Sequence, residues 1–269
     1  NIVTSRHMFG NTYDLLANTL KRFGVEARFC DLTDISDVER NVDANTCCIF
    51  FEIITNPQME VADISKLAAV ARKNNIPLVA DTTTIPFTMF SVHDLGADIE
   101  IVSSTKYLSG GATSLGGLII DYGTFPDFNK RIKGEMLFNF GAYMTPQVAY
   151  LQTLGLETLS ARYHVQASNA LTLAKRLHDT EGIKSVNYVG LESQEACFRM
   201  LNNLKLVHRA TNLFDSRTLA IHPYSTIYGN FTTEQRAAMD VHDTTIRLSV
   251  GLEDVGDIYD DIVQALRKA

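Results

Sequence analysis

A chain of 269 residues, 45% apolar and 20% charged, is long enough for one large or two modest domains around a substantial core. Its net charge of −7 argues against a nucleic-acid-binding surface, and no apolar run approaches the roughly 20 residues of a membrane-spanning helix. The four cysteines, Cys30, Cys47, Cys48 and Cys197, show no CxxC pairing, the histidines do not cluster, and no signal-peptide pattern stands at the start, so a cytoplasmic protein without a structural metal is expected.

Asn1-Ile2-Val3-Thr4 reads as a strand entered with no cap before it. Residues 12–23 carry a helical stripe of Leu15, Leu16, Leu20 and Phe23, and residues 25–29 read as a strand. The unbroken apolar run of residues 47–51 suits a buried parallel strand. Residues 61–74 repeat apolar side chains at Val61, Ile64, Leu67, Ala68 and Ala71, which predicts a helix, and residues 76–80 predict the next strand. A short helix near 89–95, a strand over 99–104 and a strand at Leu118-Ile119-Ile120-Asp121 follow. This alternation predicts an α/β fold, a mainly parallel sheet with helices on both faces.

The character changes near residue 150. Residues 146–176 read as helix and residues 250–266 as a terminal amphipathic helix. The expected organisation is therefore a large domain over 1–150 and a smaller carboxyl-terminal α/β domain over 151–269. In the second domain, Val186 to Leu191 runs through Glu192-Ser193-Gln194 into a helix-like stretch over 195–204. That domain reads as short of strands, with an interruption of the chain expected at about 191–195.

Lys106 carries the most information. It ends the apolar run Ile99-Glu100-Ile101-Val102, sits in Ser103-Ser104-Thr105-Lys106-Tyr107, and is followed by the glycine-rich Gly110-Gly111-Ala112-Thr113-Ser114-Leu115-Gly116-Gly117. A lysine there is either a snorkelling surface charge beside a tight turn or an amine held for covalent chemistry with a carbonyl cofactor. Ser103 and Thr105 lie two apart and share a face in extended structure, where their hydroxyls can donate to a phosphate. Glycines let the backbone approach a bulky ligand.

Asp81 lands at the carboxyl end of the strand Ile76-Pro77-Leu78-Val79-Ala80, where open α/β sheets bind ligands. It reads as a helix cap, as a metal or phosphate-accepting carboxylate, or as the partner of a pyridinium nitrogen. Paired with a strand-end lysine 25 positions later, the pyridinium reading gains and points to pyridoxal phosphate.

Thr55-Asn56-Pro57, Val79-Ala80-Asp81, Ser103-Ser104-Thr105-Lys106-Tyr107 and Ile246-Arg247-Leu248-Ser249-Val250-Gly251-Leu252-Glu253-Asp254 occur in this order. Together they resemble the Cys/Met-metabolism family of pyridoxal phosphate enzymes, which includes cystathionine synthases and lyases, methionine γ-lyase and O-acetylhomoserine sulfhydrylase. The resemblance runs from Phe9-Gly10-Asn11-Thr12 to the last helix. It implies a fold type I transferase-like architecture and a set of roles. Lys106 is implied to bond the cofactor's aldehyde carbon and to shuttle protons. Asp81 is implied to pair with the pyridine nitrogen, Thr83 to lie under the ring, Ser103 and Thr105 to hold phosphate, and Asn56 to bond the phenolic oxygen with Glu52 near the same edge. Arg247 is implied to grip the substrate carboxylate in bidentate fashion.

The chain departs from the family pattern at several positions. Phe9 stands where a ring-stacking tyrosine is usual, which keeps the stacking and loses the phenol. Ile227-Tyr228 replaces a usual Thr-His. Asn212-Leu213-Phe214-Asp215, with Thr218-Leu219 and His222-Pro223, resembles the sulfhydrylase branch and makes Asn212 a candidate substrate-binding residue. The family also carries an amino-terminal arm and a Ser-Gly-Met phosphate turn ahead of Asn1, and a sheet segment after Gly190-Leu191. The expected activity is γ-replacement on O-acetylhomoserine by sulfide or a thiol. Methionine γ-lyase or cystathionine γ-synthase activity is the alternative within the family, and a catalytically silent scaffold is the alternative outside it. The resemblance further implies a homo-oligomer, a dimer of dimers with active sites completed across the interface.

Overall fold

Short β-branched and apolar segments alternate with helices through the first half of the chain, and they assemble one sheet. Its strands are β1 (Ile2–Ser5), β2 (Ala27–Cys30), β3 (Cys48–Glu52), β4 (Leu78–Asp81), β5 (Ile99–Val102) and β6 (Leu118–Asp121), in the order β2-β1-β3-β4-β5-β6. The first five are parallel and β6 runs antiparallel to β5. The computed structural model describes residues 1–183, 185–186, 189–190 and 194–269, which form two units. One unit comprises Asn1–Ser104 and Leu115–Tyr150, the other Thr105–Ser114 and Leu151–Ala269.

In the first unit α1 (Gly10–Asp14) runs on through a wider and then a tighter turn to Phe23, and stops at Gly24 with φ 81°. The short helix α2 (Ile35–Asn41), which the apolar spacing did not predict, is capped by Asp34. The helix α3 (Ile64–Lys73) begins later than its apolar stripe, because the Asp63 carboxylate accepts from the Lys66 N–H and fixes the first turn. Leu67, Ala68 and Ala71 on α3 and Val38 on α2 pack over Val3, Ile49, Phe51, Leu78 and Ala80 on one sheet face. By the strand alternation Cys48, Val79 and Ile99 point to the other face. There they line a groove of about 610 Å³ with Phe128 of α4 (Phe128–Arg131) and with Ile132 and Met136 of the wider turns, Ile132–Leu137, that join α4 to α5 (Phe138–Phe140). The sheet is therefore clothed on both sides.

Two other elements differ from expectation. The helix near 89–95 contracts to one tight turn, His93–Leu95, ended by Gly96 at φ 102°. The strand over 99–104 ends at Val102, because the Ser103 N–H turns aside to donate to Thr83 Oγ1 at 2.9 Å.

The single helix expected over 146–176 is two, α6 (Pro146–Glu157) and α7 (Leu159–His178), broken at Thr158. Arg162 holds the break, its Nε donating to Thr158 Oγ1 and its Nη2 to the Gly155 carbonyl.

The second unit holds a small sheet of β7 (Val189–Gly190), β8 (His208–Arg209), β9 (Leu219–Ile221) and β10 (Thr245–Ser249) in the order β7-β10-β9-β8. It carries α8 (Gln194–Asn203), α9 (Thr233–Ala238) and α10 (Val255–Leu266) in addition to α7. Leu173 and Leu177 of α7, Cys197, Met200 and Leu201 of α8, and Ile258, Ile262 and Ala265 of α10 bury Ala220 and Ile246 of the sheet. The strands are present but short; of the interruption expected at 191–195, positions 191–193 lie outside the described residues, and Gln194 opens α8. Residues 105–114 belong to this unit through packing. The Tyr107 ring stacks on Phe214 at 4.1 Å and meets the Tyr163 ring edge-on at 5.1 Å. Leu108 crosses α6 at Gly155, where any Cβ would overlap the Leu108 carbonyl. Among the described residues no helix is long and apolar enough to cross a membrane.

Candidate active site

Because β1, β3, β4 and β5 are parallel, the residues that follow them emerge along one sheet edge. Asp81 closes β4. Its Oδ1 accepts from the Thr83 N–H at 2.9 Å, and burial raises its proton affinity against that bond, with a smaller push from the charge of Glu100. Thr83 in turn accepts from Ser103, which ties the turn after β5 to the turn after β4.

Glu52 closes β3 in direct register with Asp81 and is only 8% exposed. Its Oε1 accepts from the Phe9 N–H at 2.8 Å and its Oε2 from the Asn56 N–H at 3.0 Å. Burial and then the neighbouring Asp81 charge push this carboxyl up to about 8, against the pull of the two N–H donors. Phe9, Glu52, Asn56, Asp81, Thr83 and Ser103 thus share one edge of the first unit.

In the second unit the Lys106 Nζ donates to Asn212 Oδ1 at 2.7 Å. Burial, and then the positive charge of Arg247, lower the proton affinity of the amine. Arg247 projects from β10, 8% exposed, and its Nη2 donates to the carbonyls of Thr211 at 3.1 Å and Asn212 at 3.0 Å. Burial brings the guanidinium down to about 10, so it keeps its charge at neutral pH. The Asn212 Nδ2 is buried with no hydrogen-bond partner among the described residues. The carbonyls of Thr105 and Lys106 both accept from Ser109 Oγ, which fixes the backbone that presents them. Thr105, Lys106, Asn212 and Arg247 therefore come together within this unit.

Sequence reasoning missed a buried acid on β5. Glu100 is fully buried and accepts from the hydroxyls of Thr82 and Tyr122. An acid inside Ile99-Glu100-Ile101-Val102 was the available signal. His7 and Glu60 were also missed. They meet at 2.9 Å, and nothing in their spacing of 53 positions announces it.

Each unit carries groups that fit pyridoxal phosphate. The second offers an amine that loses its proton more readily than a surface lysine and an amide nitrogen awaiting an acceptor, and the first a strand-end carboxyl with a raised proton affinity. Ser103 and Thr105 add hydroxyls suited to a phosphate.

Comparison with known proteins agrees. The sequence model of the Cys/Met metabolism PLP-dependent enzymes matches residues 1–197 and 193–267. The sulfhydrylase FUB7 of Fusarium oxysporum f. sp. lycopersici is 31% identical, the alignment covering 100% of this chain and 75% of that protein. An L-methionine gamma-lyase of Fusobacterium nucleatum subsp. nucleatum is 32% identical over 100% of this chain and 74% of its own length. A crystal structure from Campylobacter jejuni subsp. jejuni, described as an O-acetylhomoserine (thiol)-lyase with N'-pyridoxyl-lysine-5'-monophosphate, superposes with a TM-score of 0.95 at 31% identity, covering 99% of this chain and 77% of that one. The chain belongs to the Cys/Met metabolism family of fold type I PLP-dependent enzymes, and pyridoxal phosphate is its cofactor.

Proposed function

We propose that the protein catalyses γ-replacement on an O-acylated homoserine, with O-acetylhomoserine and sulfide giving homocysteine and acetate. The observation that carries this reading is the chain of contacts from Lys106 through Asn212 to Arg247, an amine of lowered proton affinity beside a buried cation. The likeness to a sulfhydrylase and to an O-acetylhomoserine (thiol)-lyase supports the choice of substrate.

In this reading Arg247 binds the substrate carboxylate and keeps every amino-acid substrate in one orientation. The neutral Lys106 amine takes the α-proton and later returns it. Bound pyridoxal phosphate supplies the electron sink for the charge left on Cα. Asp81 would hold a proton on the pyridine nitrogen, the Phe9 ring would stack on the cofactor, Asn56 would donate to its phenolic oxygen, Thr83 would contact its ring, and Ser103 and Thr105 would hold its phosphate. Removal of a second proton, from Cβ, expels acetate from Cγ; the sulfur nucleophile adds there, and return of protons to Cβ and Cα completes the exchange.

Exposed Phe138 and Phe140, 75% and 76% accessible, and exposed Tyr143 support a homo-oligomer. Sedimentation tests that part, and an active monomer would refute it. A substrate panel tests the activity. Acetyl-, succinyl- and phosphohomoserine are each offered with sulfide or cysteine, and L-methionine is offered alone. Homocysteine from acetylhomoserine and sulfide is expected. Release of methanethiol from methionine with no replacement product would replace this reading by γ-elimination. Absence of a yellow lysine-bound cofactor band would point to a silent scaffold.

A further inference from the structure

Two loops of the first unit carry the ring-stacking and phenolate-binding candidates, the loop after β1 with Phe9 and the loop after β3 with Asn56. They are joined twice. At the base the Glu52 carboxylate accepts the backbone N–H of Phe9 with one oxygen and that of Asn56 with the other, at 2.8 and 3.0 Å. At the rim His7 Nδ1 meets Glu60 Oε2 at 2.9 Å. Glu60 is itself pinned to the same loop, its N–H donating to Thr55 Oγ1 at 2.9 Å and its carbonyl accepting the Thr55 N–H at 3.0 Å. On the other side the His7 N–H donates to Ser5 Oγ at 2.9 Å, at the end of β1.

This geometry is costly. An acid at the end of β3, in register with a second acid on β4, is buried with no cation paired to it among the described residues. A core position filled only for packing does better with an apolar or amide side chain. What the carboxylate provides is two acceptor oxygens that reach two backbone donors 47 positions apart in the chain. Each oxygen is thereby committed to one backbone donor.

We propose that Glu52, seconded by the His7–Glu60 pair, is a positioning residue that locks the Phe9 and Asn56 loops into one rigid frame. It acts on the cofactor through those two residues rather than by touching it. The inference rests on the roles proposed above for Phe9 and Asn56, and preorganisation of this kind is what turns a stack and a hydrogen bond into affinity.

Glu52→Gln is the informative variant. It keeps the shape and one carbonyl acceptor, but it sets an amide N–H₂ against the second backbone donor, so one arm of the clamp is lost. In the cofactor-free protein, amide hydrogen exchange at Phe9 or Asn56, whichever faces the new amide, should accelerate while exchange in α3 and β4 stays unchanged. The melting temperature should hold or rise, because a buried ionisable group has gone. The pyridoxal phosphate Kd of the reconstituted enzyme should rise by about tenfold, the scale of one lost buried hydrogen bond. That loss should shrink in a Phe9→Ala background, where the held ring no longer exists. Glu60→Gln leaves the core untouched and should give a smaller loss, and combined with Glu52→Gln it should cost more than the product of the two.

Unchanged exchange at Phe9 and Asn56 overturns the clamp, whatever the activity. So does an unchanged Kd with a normal cofactor band, or a fall in melting temperature and affinity together with no effect of Glu60→Gln. Accelerated exchange in Glu52→Gln, alongside a wild-type chain that binds no cofactor, would uphold the clamp and sink the proposed function instead.

Discussion

Lys106 Nζ donates to Asn212 Oδ1 at 2.7 Å, and the main-chain carbonyl of that same Asn212 accepts from Arg247 at 3.0 Å. One asparagine thus fixes where the amine rests and where the guanidinium lies. The arrangement explains how a half-buried amine is kept near a cation that disfavours its charge. Asn212→Ala should free the amine, lowering kcat by about tenfold or more while cofactor content stays normal, the scale of one lost hydrogen bond to a charged or reacting group. Lys106→Ala should abolish turnover and leave only non-covalent cofactor. Borohydride reduction and peptide mapping check both. An adduct on another lysine, or full kcat in Asn212→Ala, would remove this pairing from the mechanism.

Asp81 gains its proton affinity from burial at the strand end. Asp81→Asn preserves the shape and the Thr83 N–H contact but cannot balance a pyridinium charge. The fold should survive and cofactor should bind more weakly, with exchange of substrate Cα deuterium slowed by about 10²-fold or more, the contribution a positioned proton-transfer system typically makes. Exchange at the wild-type rate would reduce Asp81 to a capping role.

Arg247 supports the loop over Thr211 and Asn212 as well as the proposed substrate contact. Arg247→Lys keeps a charge but not the fork, so the substrate dissociation constant should rise for every amino acid by a similar factor. Loss of a buried carboxylate partner typically costs on the order of 2–5 kcal/mol. Titration with a non-reactive amino acid checks this, and a loss confined to one side chain would refute the carboxylate role.

Glu52 sets a pH dependence of stability. Its carboxyl is pushed from an ordinary 4.5 up to about 8, so the folded state binds a proton that the unfolded chain has released. Its contribution to stability is therefore complete below about pH 4.5, declines as pH rises towards 8, and is flat above. Asp81, also raised and interacting with Glu52, works in the same direction. Chemical denaturation between these limits should show the decline, on the order of a few kcal/mol for a buried carboxyl. Glu52→Gln should flatten it. A variant with the same slope would place the titration elsewhere.

Much of the first unit was legible because its strands are buried on both faces and read as unbroken apolar runs, such as Cys48–Glu52 and Leu78–Asp81. Asp81 and Lys106 stood out because they follow such runs, whereas Glu52 was named only through the family resemblance. Asp63 marks a helix start that periodicity alone misplaced, and Asp34 one that it did not show. The strands of the second unit span only two to five residues, too short for an alternating pattern to declare itself. The Glu52 contacts were invisible for a different reason, since they run to backbone N–H groups, which every sequence offers at nearly every position. The membership of residues 105–114 was hidden likewise, because Tyr107 finds its partners at Tyr163 and Phe214.

That membership has a consequence for dissection. The chain passes from one unit to the other after Ser104, returns at Leu115, and passes again after Tyr150. A cut at residue 150 would leave the second fragment without Tyr107 and Leu108, baring Phe214, Tyr163 and the groove at Gly155. Neither piece should behave as a self-sufficient domain. Co-expressed, the two halves should reassociate through the 105–114 insertion, as a plug of ten residues offered in trans.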